Sequence, residues 1–173
     1  MKTQYIILFL LALVSSCMKE RGVQLPEKTS RGAYTFGCMI DNDVFVARER
    51  CSYSVGLNLQ TQCVTSSIDY YRQHILFIES RDDYWVNNQK IKIRFKVQLD
   101  SIEIKFIKLL SANLEIVNAQ VVNSYSLDTL QNNAFTLDDA LNRTVFYGTF
   151  TLYLKNNTGQ MKILRDGRFD IEK

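Results

Sequence analysis

The sequence predicts an all-β domain, either a single antiparallel β-sandwich or a lipocalin-like barrel, on three observations. Ile91, Ile93, Phe95, Val97 and Leu99 alternate with Lys92, Arg94, Lys96 and Gln98, and a period of two sustained over that length marks a strand with one buried face. The same alternation of aromatic and β-branched residues recurs at Thr35 to Ile40, Val44 to Ala47, Ile75 to Glu79 and Val145 to Leu154. Between these runs lie Asp41-Asn42-Asp43, Asp82-Asp83, Asn87-Asn88, Asn156-Asn157-Thr158-Gly159 and Asp166-Gly167, residue types that tolerate the positive φ of tight reversals. Short strands punctuated this closely belong to sandwiches and barrels.

The first residues form a separate unit. Lys2 supplies a positive start and Tyr5 to Val14 is apolar without a charge, too short for the roughly 20 residues of a membrane-crossing helix. Residues 1–16 therefore read as a cleaved signal peptide. Val14-Ser15-Ser16-Cys17 resembles the lipobox of bacterial lipoproteins, and that resemblance implies a palmitate-type lipid modification of Cys17 as the new N-terminus. Two or more acyl chains anchor a protein stably where one does not. Met18 in place of Asp after the cysteine implies, by the same resemblance, the outer membrane of the cell envelope. Residues 17–30 are polar, hold the only proline, Pro26, and lack apolar periodicity, so they are expected to be a flexible tether. Residues 31–173 have the length of one domain with its own core.

Two segments depart from strand patterning. Ile102, Phe106, Leu109, Leu110, Leu114 and Val117 fit a helical stripe, while Ser101 to Lys105 fits a strand, so a strand leading into an irregular or helical connection is expected. Leu137 to Asn142 fits a single helical turn, with Thr136 as its cap and Asp139 three residues on.

Gly32-Ala33-Tyr34-Thr35-Phe36-Gly37-Cys38-Met39-Ile40-Asp41 near the start of the domain, and Gly148-Thr149-Phe150 with Asp166-Gly167-Arg168-Phe169-Asp170-Ile171 near its end, together resemble a family of Bacteroidetes lipoproteins known only as a domain of unknown function. The resemblance implies a Thr-Phe-Gly-Cys opening strand and a Gly-Arg-Phe-Asp closing strand, and no activity. The chain departs from it at Asn42-Asp43, where a turn containing glycine is expected, and the middle, from about Val55 to Ala140, does not match. Read physically, Gly37 and Gly148 admit a neighbouring backbone or ring, Asp166-Gly167 reverses the chain, and Phe36, Phe150 and Phe169 are core rings. Arg168 and Asp170 read as a surface or rim ion pair, with a charged site as the alternative.

The chemistry-bearing residues are few. With Cys17 lipidated, Cys38, Cys51 and Cys63 remain, so at most one bridge can form within the chain. A Cys51–Cys63 disulfide across a hairpin is expected, with Cys38 a buried thiol. His74 is the only histidine and reads as structural. The His and Cys spacing of a zinc site is missing, as are a phosphate loop, a nucleophile elbow and a His-Glu-x-x-His motif. Adjacent acids at Asp41 and Asp43, Asp82-Asp83 and Asp138-Asp139 read as solvated turns, since a glycosidase needs two carboxylates set across a cleft. The net charge is +3 with both signs interspersed, which argues against nucleic acid as partner; Lys90, Lys92, Arg94 and Lys96 read as the solvated face of one strand. No catalytic set, metal or cofactor is expected.

Tyr84 and Trp85 are the candidate binding residues, aromatic side chains on an expected loop tip, where such rings serve as contact anchors. The leading expectation is an envelope-anchored, non-catalytic lipoprotein that binds an envelope protein or a glycan. The alternatives are a lipocalin-like carrier of a small apolar ligand and a carboxylate-dependent hydrolase. The address is directly testable: Cys17→Ser should release the protein from membranes, and a globomycin-type inhibitor of the lipoprotein peptidase should make a larger precursor accumulate. A Cys17→Ser protein that stays in the membrane fraction, with no lipid label on the wild type, refutes it.

Overall fold

The computed structural model describes residues 24–47, 64–69, 75–85, 89–100, 106–140 and 145–172, and for 65–69, 82–85 and 139–140 the backbone alone. Cys17, Cys51, Cys63, His74 and Asn87-Asn88 lie outside these residues. The strands are β1 (Thr35–Ile40), β2 (Asp43–Val46), β3 (Val64–Asp69), β4 (Ile75–Trp85), β5 (Gln89–Leu99), β6 (Phe106–Asn118), β7 (Val121–Leu127), β8 (Ala134–Phe135), β9 (Asp138–Ala140), β10 (Val145–Lys155) and β11 (Met161–Glu172). The described residues contain no helix, and therefore none long and apolar enough to cross a membrane.

All strands join one antiparallel sheet in the order β2-β1-β11-β10-β7-β6-β5-β4-β3, with β8 and β9 also paired to β10. The sheet curls into a half-barrel. β1 and β5 stand five places apart in that order, which in a flat sheet would separate them by about 24 Å at the usual strand spacing. Yet the rings of Phe36 on β1 and Phe95 on β5 are 5.7 Å apart. Further round the curl, β3 comes against β11.

The alternation on β5 is realised residue by residue: Ile91, Ile93, Phe95, Val97 and Leu99 are buried, and the odd-numbered face meets Ala112, Leu114 and Ile116 of β6. On the outer face Lys92 pairs with Glu79 at 3.0 Å, and Arg94 bridges Glu79 and Glu115 at 3.1 and 3.2 Å. These exposed pairs add little stability, but they confirm the basic stripe as the solvated side of a strand.

Residues 106–118 are a strand, where the sequence reads as a strand leading into an irregular or helical connection. The reason lies in two register shifts opposite β5: Lys96 pairs with Ser111 but Val97 with Leu109, and Gln98 pairs with Lys108 but Leu99 with Phe106. Leu110 and Ile107 are thus extra residues, and each bulge resets the inward phase by one. The inward positions then fall at 106, 109, 112, 114 and 116, a spacing of three, three, two and two that imitates a helix face.

Three other local expectations are corrected. Asp82-Asp83 lies inside β4 rather than in a turn, with Asp82 paired to Ile91. The expected helical turn after Thr136 is instead β9; Thr136 bonds across to Thr149 and so behaves as an edge-strand residue rather than a cap. Asp166-Gly167 is a bulge within one continuous β11, not a reversal: Gly37 and Met39 of β1 face Arg168 and Arg165, which leaves Asp166, at φ 52°, as the inserted residue. By contrast Asp41-Asn42 is a two-residue hairpin. Asp41 takes φ 55° in place of the expected glycine, and its carboxylate accepts from Ile163 N and Lys162 Nζ of β11. The Asn156 carboxamide likewise ties its own turn, accepting from the Thr158 and Gln160 amides.

Phenylalanines fill the concave side. Phe150 lies 4.9 Å from Phe95 and 5.5 Å from Phe36, and Phe135 packs on Phe95 and Phe169 at 5.4 and 5.7 Å. Two glycines make this density achievable. Gly167 faces Phe150 across the β10–β11 pair, and a Cβ there would lie 2.3 Å from the ring. Gly148 faces Phe169, and its Cβ would lie 2.7 Å from that ring and 2.1 Å from the Thr136 carbonyl oxygen. Gly148→Ala and Gly167→Ala should each destabilise the fold by about 1–3 kcal/mol through overpacking, read by urea denaturation. Phe150→Leu should recover part of the Gly167→Ala loss, and two alanine variants of wild-type stability would refute the interlock.

Candidate functional site

The outer face of β1, β11, β10 and the β8–β9 edge carries the site. Register places Thr35 opposite Asp170, Gly37 opposite Arg168, Thr149 opposite Arg168 and Tyr147 opposite Asp170, all on the side away from the core rings. Residues 24–33, read from composition mostly as tether, run over this face as a strap. Pro26 sits on Gly37, where a Cβ would approach Pro26 Cδ to 2.5 Å, so the absent side chain makes room for a proline rather than a ring. Gly32 at φ 74° and Tyr34 at φ 50° turn the strap into β1. Burial, and then the adjacent Glu172 carboxylate, hold the Tyr34 phenol above its ordinary pKa.

Asp170 fastens the strap. It is only 1% exposed, and its carboxylate accepts from the Thr29 hydroxyl, the Arg31 amide at 3.1 Å and the Gly32 amide at 2.8 Å. A buried carboxylate is tolerated when it is saturated in this way. The expected Arg168–Asp170 ion pair is therefore replaced by a division of roles: Asp170 is committed to the strap, and Arg168 is left to the surface beside it.

Between the strap and the edge strand lies a trough made of two adjoining cavities of about 380 and 350 Å³. The strap side contributes Glu27, Lys28, Thr29 and Ser30; the floor contributes Thr35, Tyr147, Thr149 and Arg168; the far side contributes Thr136 and Asp138. Lys28, Thr136, Thr149 and Arg168 line both cavities, and Thr151 and Asp166 extend the second. Hydroxyl-bearing residues make up half of the first cavity's lining, the second is lined also by Ala134, Phe135 and Phe150, and the charged residues are Lys28 and Arg168, positive, and Glu27, Asp138 and Asp166, negative. Thr136 and Thr149 hydroxyls are 2.9 Å apart. Arg168 Nε is buried with no hydrogen-bond partner, one of two such side-chain atoms among the described residues, the other being Ser80 Oγ. The volume falls within the range of small-ligand clefts.

The other candidates lie elsewhere. Tyr84 and Trp85 end β4, where the Trp85 backbone pairs with Gln89, four places from β10 in the sheet order. Cys38 is buried and unpaired on β1; burial pushes its pKa upward, which suits an inert thiol. Among the described residues no three His, Cys, Asp or Glu side chains gather as a metal site would need. Arg168 was legible in the sequence as a candidate charge, whereas Lys28, Thr29 and Thr149 carried no periodic or motif signal. Comparisons with protein-family models, curated proteins and solved structures give no match.

Removing the Asp170 carboxylate tests the strap. Asp170→Ala orphans two amides and a hydroxyl, so stability should fall by about 2 kcal/mol or more and hydrogen exchange of the Gly32 amide should accelerate. A Gly32 amide that stays protected in the variant would mean that other contacts hold the strap.

Proposed function

We propose that this chain is an envelope-anchored lipoprotein, carried by lipid on Cys17 at the outer membrane, whose domain is a non-catalytic binding module. The observation that carries the reading is the trough between strap and sheet, whose first cavity is lined by six hydroxyl-bearing residues. Convergent Thr, Ser and Tyr hydroxyls with a few charges favour a polar ligand, a glycan or a hydrophilic segment of an envelope protein, over an apolar one. The tight ring packing on the concave side argues against an enclosed apolar ligand of the lipocalin kind. The resemblance of both ends of the domain to Bacteroidetes lipoproteins of unknown function agrees with the envelope address. Having only His74 as histidine, the chain has few means of proton transfer near neutral pH.

A carboxylate-dependent hydrolase is the second reading, because Glu27 and Asp138 line the same cavity. Turnover of an oligosaccharide by the wild type, lost in Asp138→Asn, would favour it.

The binding reading is tested with the full-length chain in detergent on an array of glycans and hydrophilic peptides. Ser30→Trp, a bulky change at an exposed wall position, should weaken binding at least tenfold without altering the thermal midpoint. Unchanged binding would remove the trough from consideration. A loss above about 1 kcal/mol in Trp85→Ala would move the site to the end of β4.

A further inference from the structure

Arg168 is the unusual group in the trough. It stands mid-strand on β11, just past the bulge at Asp166, and its cross-strand neighbours are Gly37, which has no side chain, and Thr149, whose hydroxyl is engaged with Thr136. Of the two acids two residues away on its strand, Asp170 is already saturated by the strap, and Asp166 is the residue inserted at the bulge. No ion pair of Arg168 is found among the described residues, and its Nε is shielded from water with nothing to donate to. An arginine that lines both adjoining cavities with no ion pair of its own is a charged donor set open to an acceptor in the trough.

We propose that Arg168 is the anchor for a carboxylate-bearing ligand bound in the trough, a deepening that rests on the binding reading above. The two terminal amino groups of the guanidinium match the two oxygens of a carboxylate in a planar, bidentate arrangement. Lys28, which lines both cavities, adds a second positive charge on the strap side. The acids set the limit on charge: Glu27 and Asp138 in one cavity and Asp166 in the other repel polyanions, so the ligand carries a single carboxylate. Its remaining groups are hydroxyls or amides that meet Thr35, Tyr147 and Thr149. Two sources share this chemistry, an acidic sugar and the free C-terminus of a peptide.

Calorimetric titration of the full-length chain in detergent separates them. The probes are a galactose trisaccharide in which one residue is galacturonic acid, with its methyl ester, and a hydrophilic tetrapeptide with a free or an amidated C-terminus. One free-acid probe should bind, and masking its carboxylate should weaken binding at least tenfold; whichever probe does so identifies the source. Arg168→Gln and Arg168→Lys should each cause a similar loss, the lysine variant because it keeps the charge but not the fork, whereas Arg165→Gln, outside the trough, should leave binding unchanged. Equal binding of acid and masked probes overturns the proposal, and because that comparison uses the wild type it stands even if an Arg168 variant misfolds. Failure of both free acids to bind also overturns it. Binding of a neutral galactose trimer that is sensitive to Ser30→Trp but not to Arg168→Gln would leave the trough reading intact and remove only the carboxylate.

Discussion

Seating two phenylalanine rings on two glycines across the β10–β11 pair is the contact on which the rest of the structure depends. Phe150 over Gly167 and Phe169 over Gly148 bring the rings down onto the backbone of the sheet. Only at that depth can Phe150 also reach Phe36 and Phe95, side chains that a flat sheet would hold far apart. The curl therefore follows from a local absence of Cβ atoms as much as from strand twist. Phe135 completes the cluster from β8, and in doing so it fixes Thr136 and Asp138 on the opposite, outward face of the same edge. Core and trough are two sides of one alternation.

The strap depends on a second, electrostatic contact. Asp170 follows Phe169, so the residue that completes the core directly precedes the one that holds the strap, and strict alternation sends their side chains to opposite faces. The bulge at Asp166 sets the phase for both. Had β11 run without it, Gly167, Phe169 and Ile171 would point outward and Arg168 and Asp170 would be buried under the rings. Placement of the inserted residue thus matters as much to the site as the identity of the side chains.

Much of this architecture was legible in the sequence, and the failures share a physical cause. β5 announces itself because an unbroken ladder preserves a period of two. β6 does not, because bulges at Ile107 and Leu110 change its phase twice, and a phase-shifted strand is indistinguishable from a helix stripe in one dimension. Asp166-Gly167 has the sequence of a reversal because bulges and turns demand the same left-handed backbone from the same residue types. Thr136 resembles a cap for a similar reason, since a hydroxyl that would cap a helix also bonds across a sheet edge. At the site, Arg168 and Asp170 stood out as charges, but their separation into an outward donor and a buried clamp depends on residues 26–32 folding back over β1 and β11. That contact, between residues some 140 positions apart, as from Thr29 to Asp170, leaves no trace in local patterning.

The docking of Pro26 on Gly37 also sets a length. If lipid holds Cys17, as proposed, nine peptide steps separate it from Pro26, and a fully extended chain spans at most about 30 Å over that many residues. The domain would ride on a leash no longer than the bilayer core is thick. Such a protein samples a thin shell next to its own membrane rather than the breadth of the envelope, so its ligand must come to that surface.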